Sequence, residues 1–309
     1  MVAIFLQTLP FFAIIALGYI AGRTNFFSPE ATAYLTKFVF YFALSAMLFR
    51  FSANLSFDDI WVPEALGAYL WASGLIYLLV TVVALIRRLG IEEAAVEAQC
   101  GVIGNVGFLG IPMLVLLMGE RAIIGVMLCL VVDLVFFGSL IVILITGSRD
   151  GRIRLGILRT MGLGLLKNPM IVSIVVGLGW SAFSLPIPDP LNAFVGILGG
   201  AATPGALFAI GASLATKSAE RVEVAAWLSF AKLVLHPAAV AVAVLFLVPV
   251  EPYLAGVMIA AASLPTAGNV YILAAHYGVA PARVSATILI STAVSILTVS
   301  GVIAWVSGA

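Results

Sequence analysis

Apolar residues fill most of this chain in ten long blocks, parted by short polar connections. The blocks fall at about 2–22, 31–52, 63–86, 94–118, 122–146, 168–185, 191–215, 222–247, 252–277 and 284–307. Each lies close to the ~20 residues that a helix needs to cross the hydrocarbon of a bilayer. Backbone groups in lipid have no water to bond, so each block is predicted to be an α-helix that satisfies its own peptides. The longest connection, Gly147 to Lys167, carries more charged residues than any other. It divides the chain into a first five-helix unit (1–146), a cytoplasmic linker (147–167) and a second five-helix unit (168–309).

Two blocks break their own rule. Block 4 contains "GNVGFLGIP", Gly104 to Pro112, with three glycines, a proline and the polar Asn105 inside an apolar run. Block 9 contains "SLPTAGNVYIL", where Gly268-Asn269-Val270 repeats Gly104-Asn105-Val106. These are the fourth blocks of the two units, and each has a proline near its Asn: Pro112 and Pro265. Five helices per unit, an odd number, start the second unit on the opposite side from the first, so repeated units are inverted repeats. Paired Gly/Pro interruptions at corresponding places point to a transporter binding site. The expected arrangement is therefore two broken helices that cross at mid-membrane and turn freed backbone groups into a shared cavity. Helix N-termini there attract anions, and Asn105 and Asn269 add neutral donors and acceptors. Gly104, Gly107 and Gly268 let the backbone approach a ligand. Close helix packing also explains glycines at every third position from Gly101 to Gly110, but not the proline or the repeated tripeptide.

Composition agrees with this picture. The chain is 63% hydrophobic and 9% charged, against about a quarter charged for a soluble domain. No sizeable soluble domain remains, and a formal net charge of +1 gives no reason to expect a nucleic-acid partner. The first block lacks a preceding basic stretch and a clear cleavage site, so it reads as a retained helix rather than a signal peptide. Cys100 and Cys129 lie in apolar runs and read as small buried side chains. Basic residues fix the expected orientation. Eleven of the fifteen follow odd-numbered blocks, namely Arg23, Arg87, Arg88, Arg149, Arg152, Arg154, Arg159, Lys167, Lys217, Arg221 and Arg283. Arg50 and Arg121 lie on the other side. The odd connections are then cytoplasmic and both termini face outside an inner (plasma) membrane.

Charges inside blocks are functional candidates, because lipid makes them costly. Lys232 lies deep in block 8, His236 one turn on along the same face, and Pro237 next to it. Asp133 is about as deep in block 5. Lys232 and Asp133 are expected to pair, with His236 beside them, either as a coupling element or as a static pair that fixes packing. Lys37 can snorkel to the interface or draw anions inward. Glu97, one turn into block 4, is expected to reach water. Arg50, Glu64 and His276 read as helix-end residues, and Tyr271 as a packing or cavity-lining ring. Thr203-Pro204-Gly205 suggests a kink in block 7. No phosphate-binding loop, HExxH or Gly-x-Ser-x-Gly is present, so neither ATP-driven pumping nor intramembrane hydrolysis has visible machinery. No cofactor, metal site or enzymatic activity is expected.

Several motifs in order resemble the auxin efflux carrier family, over essentially the whole chain. They are "GNVGFLGIP", "KNP" at 167–169, "PGALFAIGASLA" at 204–215, "KLVLHP" at 232–237 and "SLPTAGNVYILAAHYGV" at 263–279. The resemblance implies an all-α polytopic membrane protein of ten transmembrane helices in two inverted five-helix repeats. Helices 1, 2, 6 and 7 form a scaffold; helices 3–5 and 8–10 form a moving transport domain. Helices 4 and 9 cross at their breaks, where an anion binds. Asn105 matches the substrate-contacting Asn of helix 4, and Pro112 and Pro265 match prolines of the broken helices. Plant members have Pro immediately before that Asn, whereas this chain has Gly104, and it lacks their long central hydrophilic loop. The implied function is secondary transport of small organic anions such as malonate or malate by alternating access. The alternative is a sodium- or proton-coupled symporter of a larger organic acid, auxin-like or bile-acid-like. The expected partners are the anion and membrane lipid, and the plan is compatible with a homodimer.

Overall fold

The computed structural model describes residues 2–54, 62–150, 166–216 and 222–308. Most of the anticipated linker, with Arg152, Arg154 and Arg159, lies outside the described residues, as do Lys217 and Arg221. Each of the ten apolar blocks is helical. Eight are single helices: α1 (Val2–Arg23), α2 (Pro29–Ala53), α3 (Pro63–Ile86), α6 (Ala122–Arg149), α7 (Pro169–Ala182), α8 (Asp189–Leu214), α9 (Val222–Leu247) and α12 (Pro281–Val306). Block 4 is two helices, α4 (Ile91–Val102) and α5 (Val106–Met118). Block 9 is also two, α10 (Pro252–Ala262) and α11 (Gly268–Tyr277). Among the described residues, seven helices are long and apolar enough to span a membrane alone, and α5, α7 and α10 are shorter apolar helices. The chain is thus an all-helical polytopic membrane protein. α6 continues past the expected end at 146 into the predicted linker.

Proline starts many of these helices, because the first helical N–H needs no partner. Pro29, Pro63, Pro169, Pro252 and Pro281 each stand in a first turn. Ser28, Asn168 and Glu251 cap three of them by accepting from Ala31, Met170 and Leu254 N–H at 3.1, 3.0 and 2.8 Å. In α8 the helix is interrupted at Ala201. Pro204, three residues on, has no N–H for the Gly200 carbonyl and its ring crowds that carbonyl. This is the kink expected from Thr203-Pro204-Gly205. Five π turns, invisible in the hydropathy pattern, widen four helices: Val39–Ala43, Val106–Gly110, Val132–Phe137, Ala231–Leu235 and Ala243–Leu247.

The helices gather into two groups. α1 lies against the second half of α8, and α2 against α7 and the first half of α8. Glycine makes both contacts backbone-close. A β-carbon on Gly211 would overlap the Ile15 carbonyl, and one on Gly177 would come within 2.8 Å of the Phe49 carbonyl. Small residues at such crossings let helices gain dispersion contacts that lipid cannot offer. The second group is α3–α6 with α9–α12, built around buried Leu109, Ile111, Met113, Met127 and Met258. The groups meet where α8 covers Val106–Gly110 and where Thr8 Oγ1 of α1 hydrogen-bonds Ser300 Oγ of α12 at 2.7 Å.

Gly211→Ala is expected to force α1 and α8 apart and lower stability by about 1–3 kcal/mol. Gly179→Ala, on α7 with nothing within 4 Å of the added carbon, should be neutral or stabilising. Thermal unfolding of the two variants in detergent separates these outcomes.

Candidate functional site

Where α4 and α10 stop, the chain runs extended and the two breaks pair with each other. Asn105 N–H donates to the Pro265 carbonyl at 2.8 Å, and Ala267 N–H donates to the Ile103 carbonyl at 3.0 Å. Gly104 thus faces Thr266 in an isolated antiparallel bridge. Thr266 ties in two more elements: its hydroxyl donates to the Cys100 carbonyl at 2.9 Å, and its N–H to Ser291 Oγ of α12 at 3.2 Å. Each interruption therefore supplies partners that the other lost, which is the condition for non-helical backbone at membrane depth. Pro265 costs nothing here, since only its carbonyl is used.

Two helix N-termini open from this bridge. α5 begins at Val106 and α11 at Gly268. Their first N–H groups have no intrahelical acceptor and carry the positive end of the helix dipole. The Asn105 carbonyl accepts from both Leu109 and Gly110, at 3.0 and 2.9 Å, which opens the π turn that follows. Asn105 is 7% exposed, and its side chain makes no capping hydrogen bond to α5. Asn269 and Gly268 are exposed. Gly268 has open space around it, whereas Gly107 lies close to Met170 of α7, 2.8 Å from Cε to an added β-carbon. Phe108 stacks on Phe40 of α2 with ring centroids 6.1 Å apart. Pro112 does not sit at the break. It lies inside α5 just after the π turn, so the chain parts at Ile103–Asn105 and not at that proline.

A buried polar cluster lies beneath the bridge. Lys232 is in a π turn of α9 and Asp133 in a π turn of α6. Lys232 Nζ donates to the Ala262 carbonyl at the C-terminal end of α10, and to His236 Nδ1 at 3.1 Å. The ammonium thus sits at the negative end of a helix dipole, which offsets part of its desolvation. A β-carbon on Gly104 would lie 3.3 Å from the same Nζ. His236 Nε2 is 2.9 Å from Ser73 Oγ on α3, and Tyr69 of α3 donates to Asp133 Oδ1 at 3.2 Å. Asp133 Oδ2 has no partner. The direct Lys232–Asp133 contact expected from the sequence is not made: no ion pair within 4.0 Å joins them, although each is an electrostatic neighbour of the other. Lys232 bonds Ala262 and His236 instead, and Asp133 accepts from Tyr69.

Glu97 corrects another expectation. It does not reach water. It is fully buried, with Oε2 2.8 Å from Arg87 Nη1 and Oε1 2.7 Å from Arg283 Nη1. Arg283 also lies 3.8 Å from Glu93. Two arginines counted as connecting-loop charges therefore hold Glu97, the buried Arg283 from α12 and the exposed Arg87 from the end of α3. Lys37 and His276 are exposed, Lys37 over the Tyr34 ring at 5.4 Å and His276 against Tyr277. Arg50 donates to Asn192 at 3.3 Å. A cavity of about 370 Å³ lies elsewhere, lined by Gly90, Glu92, Glu93, Arg149 and Gly278 among others, and shares no residue with the bridge.

Sequence reasoning passed over Tyr69, Ser73, Thr266 and Ser291. One signal was available. Tyr69 and Ser73 are four residues apart in an apolar run, the same one-face spacing as Lys232 and His236. Thr266 adjoins a proline already singled out, but nothing local assigns its hydroxyl to Cys100.

Comparison with known proteins adds a second line. The sequence model of a family described as "Membrane transport protein" matches residues 3–303. A protein of Rhizobium meliloti (strain 1021), described as "Putative malonate transporter", is 30% identical over 302 residues, covering 96% of this chain and 93% of that one.

Thr266→Val keeps the shape and removes the hydroxyl that holds Cys100; a loss of about 1–2 kcal/mol is expected. Glu97→Ala leaves Arg283 buried without its main partner, and about 3–5 kcal/mol should be lost. Melting temperatures of the purified variants check both, and Glu97→Ala should fall further.

Proposed function

This chain belongs to the membrane transport protein family, the auxin efflux carriers whose motifs it carries, and on that premise we propose that it is a secondary transporter of small organic anions. It is a transporter and not an enzyme. The observation that carries the anion reading is the paired break. Two helix N-termini start beside each other's extended strands, and the nearly buried Asn105 next to them does not spend its side chain on capping α5. Such a site offers N–H dipoles and a neutral amide to a carboxylate, with the Lys232 ammonium beside Gly104 already bonded to the Ala262 carbonyl. Asn105, Asn269 and the backbone at Gly104, Gly107 and Gly268 are the proposed contacts. Malonate, or a dicarboxylate of similar size, is the proposed substrate, supported by the description of the Rhizobium meliloti relative.

Alternating access supplies the mechanism. The proposed scaffold is α1, α2, α7 and α8; the proposed moving body is α3–α6 with α9–α12. Recurrent packing supports two inverted repeats. Block 1 packs on block 7 as block 6 packs on block 2, and block 3 packs on block 4 as block 8 packs on block 9. The moving body carries both breaks, so the bridge travels intact while α8 and Met170 of the scaffold cover or uncover it. With the odd connections cytoplasmic and the termini outside, a negative interior drives an anion outward at ~2.3 kcal/mol per charge per 100 mV. Lys232 already occupies the Ala262 carbonyl at the end of α10. A sodium ion there would have to displace a bonded ammonium, which argues against sodium coupling.

Purified protein in liposomes should take up labelled malonate, and other short dicarboxylates should compete. Asn105→Ala should fold normally yet lose at least about tenfold in flux, the worth of one or two hydrogen bonds to a charged group. Unchanged flux in that variant removes the site; absence of flux for every carboxylate tried removes the substrate class.

A further inference from the structure

The two groups of helices meet on one side of the crossing and part on the other. Thr8 lies about two turns from the start of α1, and Ser300 about two turns from the end of α12. Their hydroxyl oxygens are 2.7 Å apart in a buried contact, which puts both chain ends on one face. Arg149 bonds Glu92 at the start of α4 and the Tyr277 carbonyl at the end of α11, so α11 leads to the face from which α4 enters. α5 leads to the face of the chain ends. On that side the groups are in contact from the break outward. Met170 of α7 lies on Gly107, Phe40 of α2 on Phe108, the second half of α8 on Val106–Gly110, and α1 on α5 and α12. From Val106 to Leu114 every residue is buried except the half-buried Phe108. α11 is the reverse. It packs on α12 and α4 of its own group, and Gly268, Asn269, Ile272, Ala275 and His276 form one exposed stripe from the break to its end. Asn269 and His276, at the two ends of the stripe, suit water better than lipid.

We propose that the substrate-free protein rests with its crossing shut from the face of the chain ends and open to the opposite face, and that Thr8 and Ser300 are the latch that holds this state. The latch presumes the transport reading above; the closed face follows from contacts alone. α1 is the fixed side of the latch. β-Carbons on Gly18 and Gly211 would overlap the Phe208 and Ile15 carbonyls, so α1 cannot slide on α8, and opening must draw α12 away from α1. Each hydroxyl also has an acceptor on its own helix: the Phe5 carbonyl lies 2.9 Å from Thr8 Oγ1, and the Ile296 carbonyl 2.8 Å from Ser300 Oγ. A hydroxyl carries a single proton. While latched, one of the two protons crosses between the helices and the other stays on its own carbonyl. On release both turn to their own helices, and no donor is stranded in the membrane. The latch therefore biases the two states by the net worth of one hydrogen bond, about two- to tenfold. A bias of that size holds a resting state yet yields to a ligand that binds the other state better. Ser52 of α2 adds a weaker contact, 4.0 Å to Met127 Sδ of α6, while it donates to the Leu48 carbonyl at 2.8 Å.

Two measurements on the full chain in liposomes test this. In the first, Thr8→Cys and Ser300→Cys are combined and oxidised. The pair should cross-link, malonate flux should fall at least about tenfold, malonate should still bind, and a reductant should restore flux. The second reads the two faces with a membrane-impermeant thiol reagent, the sides being assigned by a tag at the C-terminus. Ile272→Cys should react from the face opposite the tag. Phe108→Cys, covered by Phe40 in the resting state, should react slowly from the tag's face, and adding Thr8→Val should speed that reaction about two- to tenfold. The latch is overturned if no cross-link forms, if the cross-linked protein transports like the reduced one, or if Thr8→Val leaves the Phe108→Cys rate unchanged. Reaction of Ile272→Cys from the tag's face overturns the assignment of the open side. If the parent moves no carboxylate but both labelling results are as expected, the latch stands and the substrate reading fails.

Discussion

Two backbone hydrogen bonds between Ile103–Asn105 and Pro265–Ala267 hold this architecture to its purpose. A helix in lipid can be interrupted only where its stranded peptides find partners, because an unsatisfied N–H or C=O there costs several kcal/mol. Here the partners come from the opposite break. Neither break is tolerable alone, so α4–α5 and α10–α11 must meet, and the rest of the packing is arranged around that meeting. Thr266 extends the constraint to α12 through Ser291 and back to α4 through Cys100.

The same constraint explains why so much polarity is buried nearby. Ending α4 and α10 in the interior exposes helix carbonyls on one side and helix N–H groups on the other. Lys232 answers a carbonyl of α10, and Asp133 lies by the Gly104 N–H. The first N–H groups of α5 and α11 lack intrahelical acceptors and are the proposed contacts of the anion. The charges that brace the break and the dipoles that attract a substrate are thus two results of one interruption. The π turns at Val132–Phe137 and Ala231–Leu235 carry the two charged residues, in keeping with the placing of such turns at functional positions.

The proposed moving body is tied by more than its crossing. Glu97 joins α3, α4 and α12 through Arg87 and Arg283, and Arg149 joins α6 to α4 through Glu92 (2.7 Å) and to the end of α11 through the Tyr277 carbonyl (2.7 Å). The other group relies on glycine instead, at Gly18, Gly22, Gly177 and Gly211. Charge links hold one body together at an end; close backbone contact holds the other.

By itself, the order of residues determined the helical blocks, the membrane as solvent, the two interruptions and their repeated Gly-Asn-Val, since hydropathy, breakers and repeats are all local. The family motifs carried the transporter reading for the same reason. Only the tertiary structure decided what each polar side chain touches. Glu97 looked near enough to a helix end for water, and Arg283, distant in the chain, closed over it together with the nearer Arg87. Lys232 and Asp133 looked like a pair, yet Lys232 bonds Ala262 and His236 while Asp133 accepts from Tyr69. Pro112 looked like the breaking residue, yet the chain parts at Ile103–Asn105, where a partner strand is within reach. Local pattern limits where a backbone can yield; where it does yield depends on which distant group arrives to satisfy it.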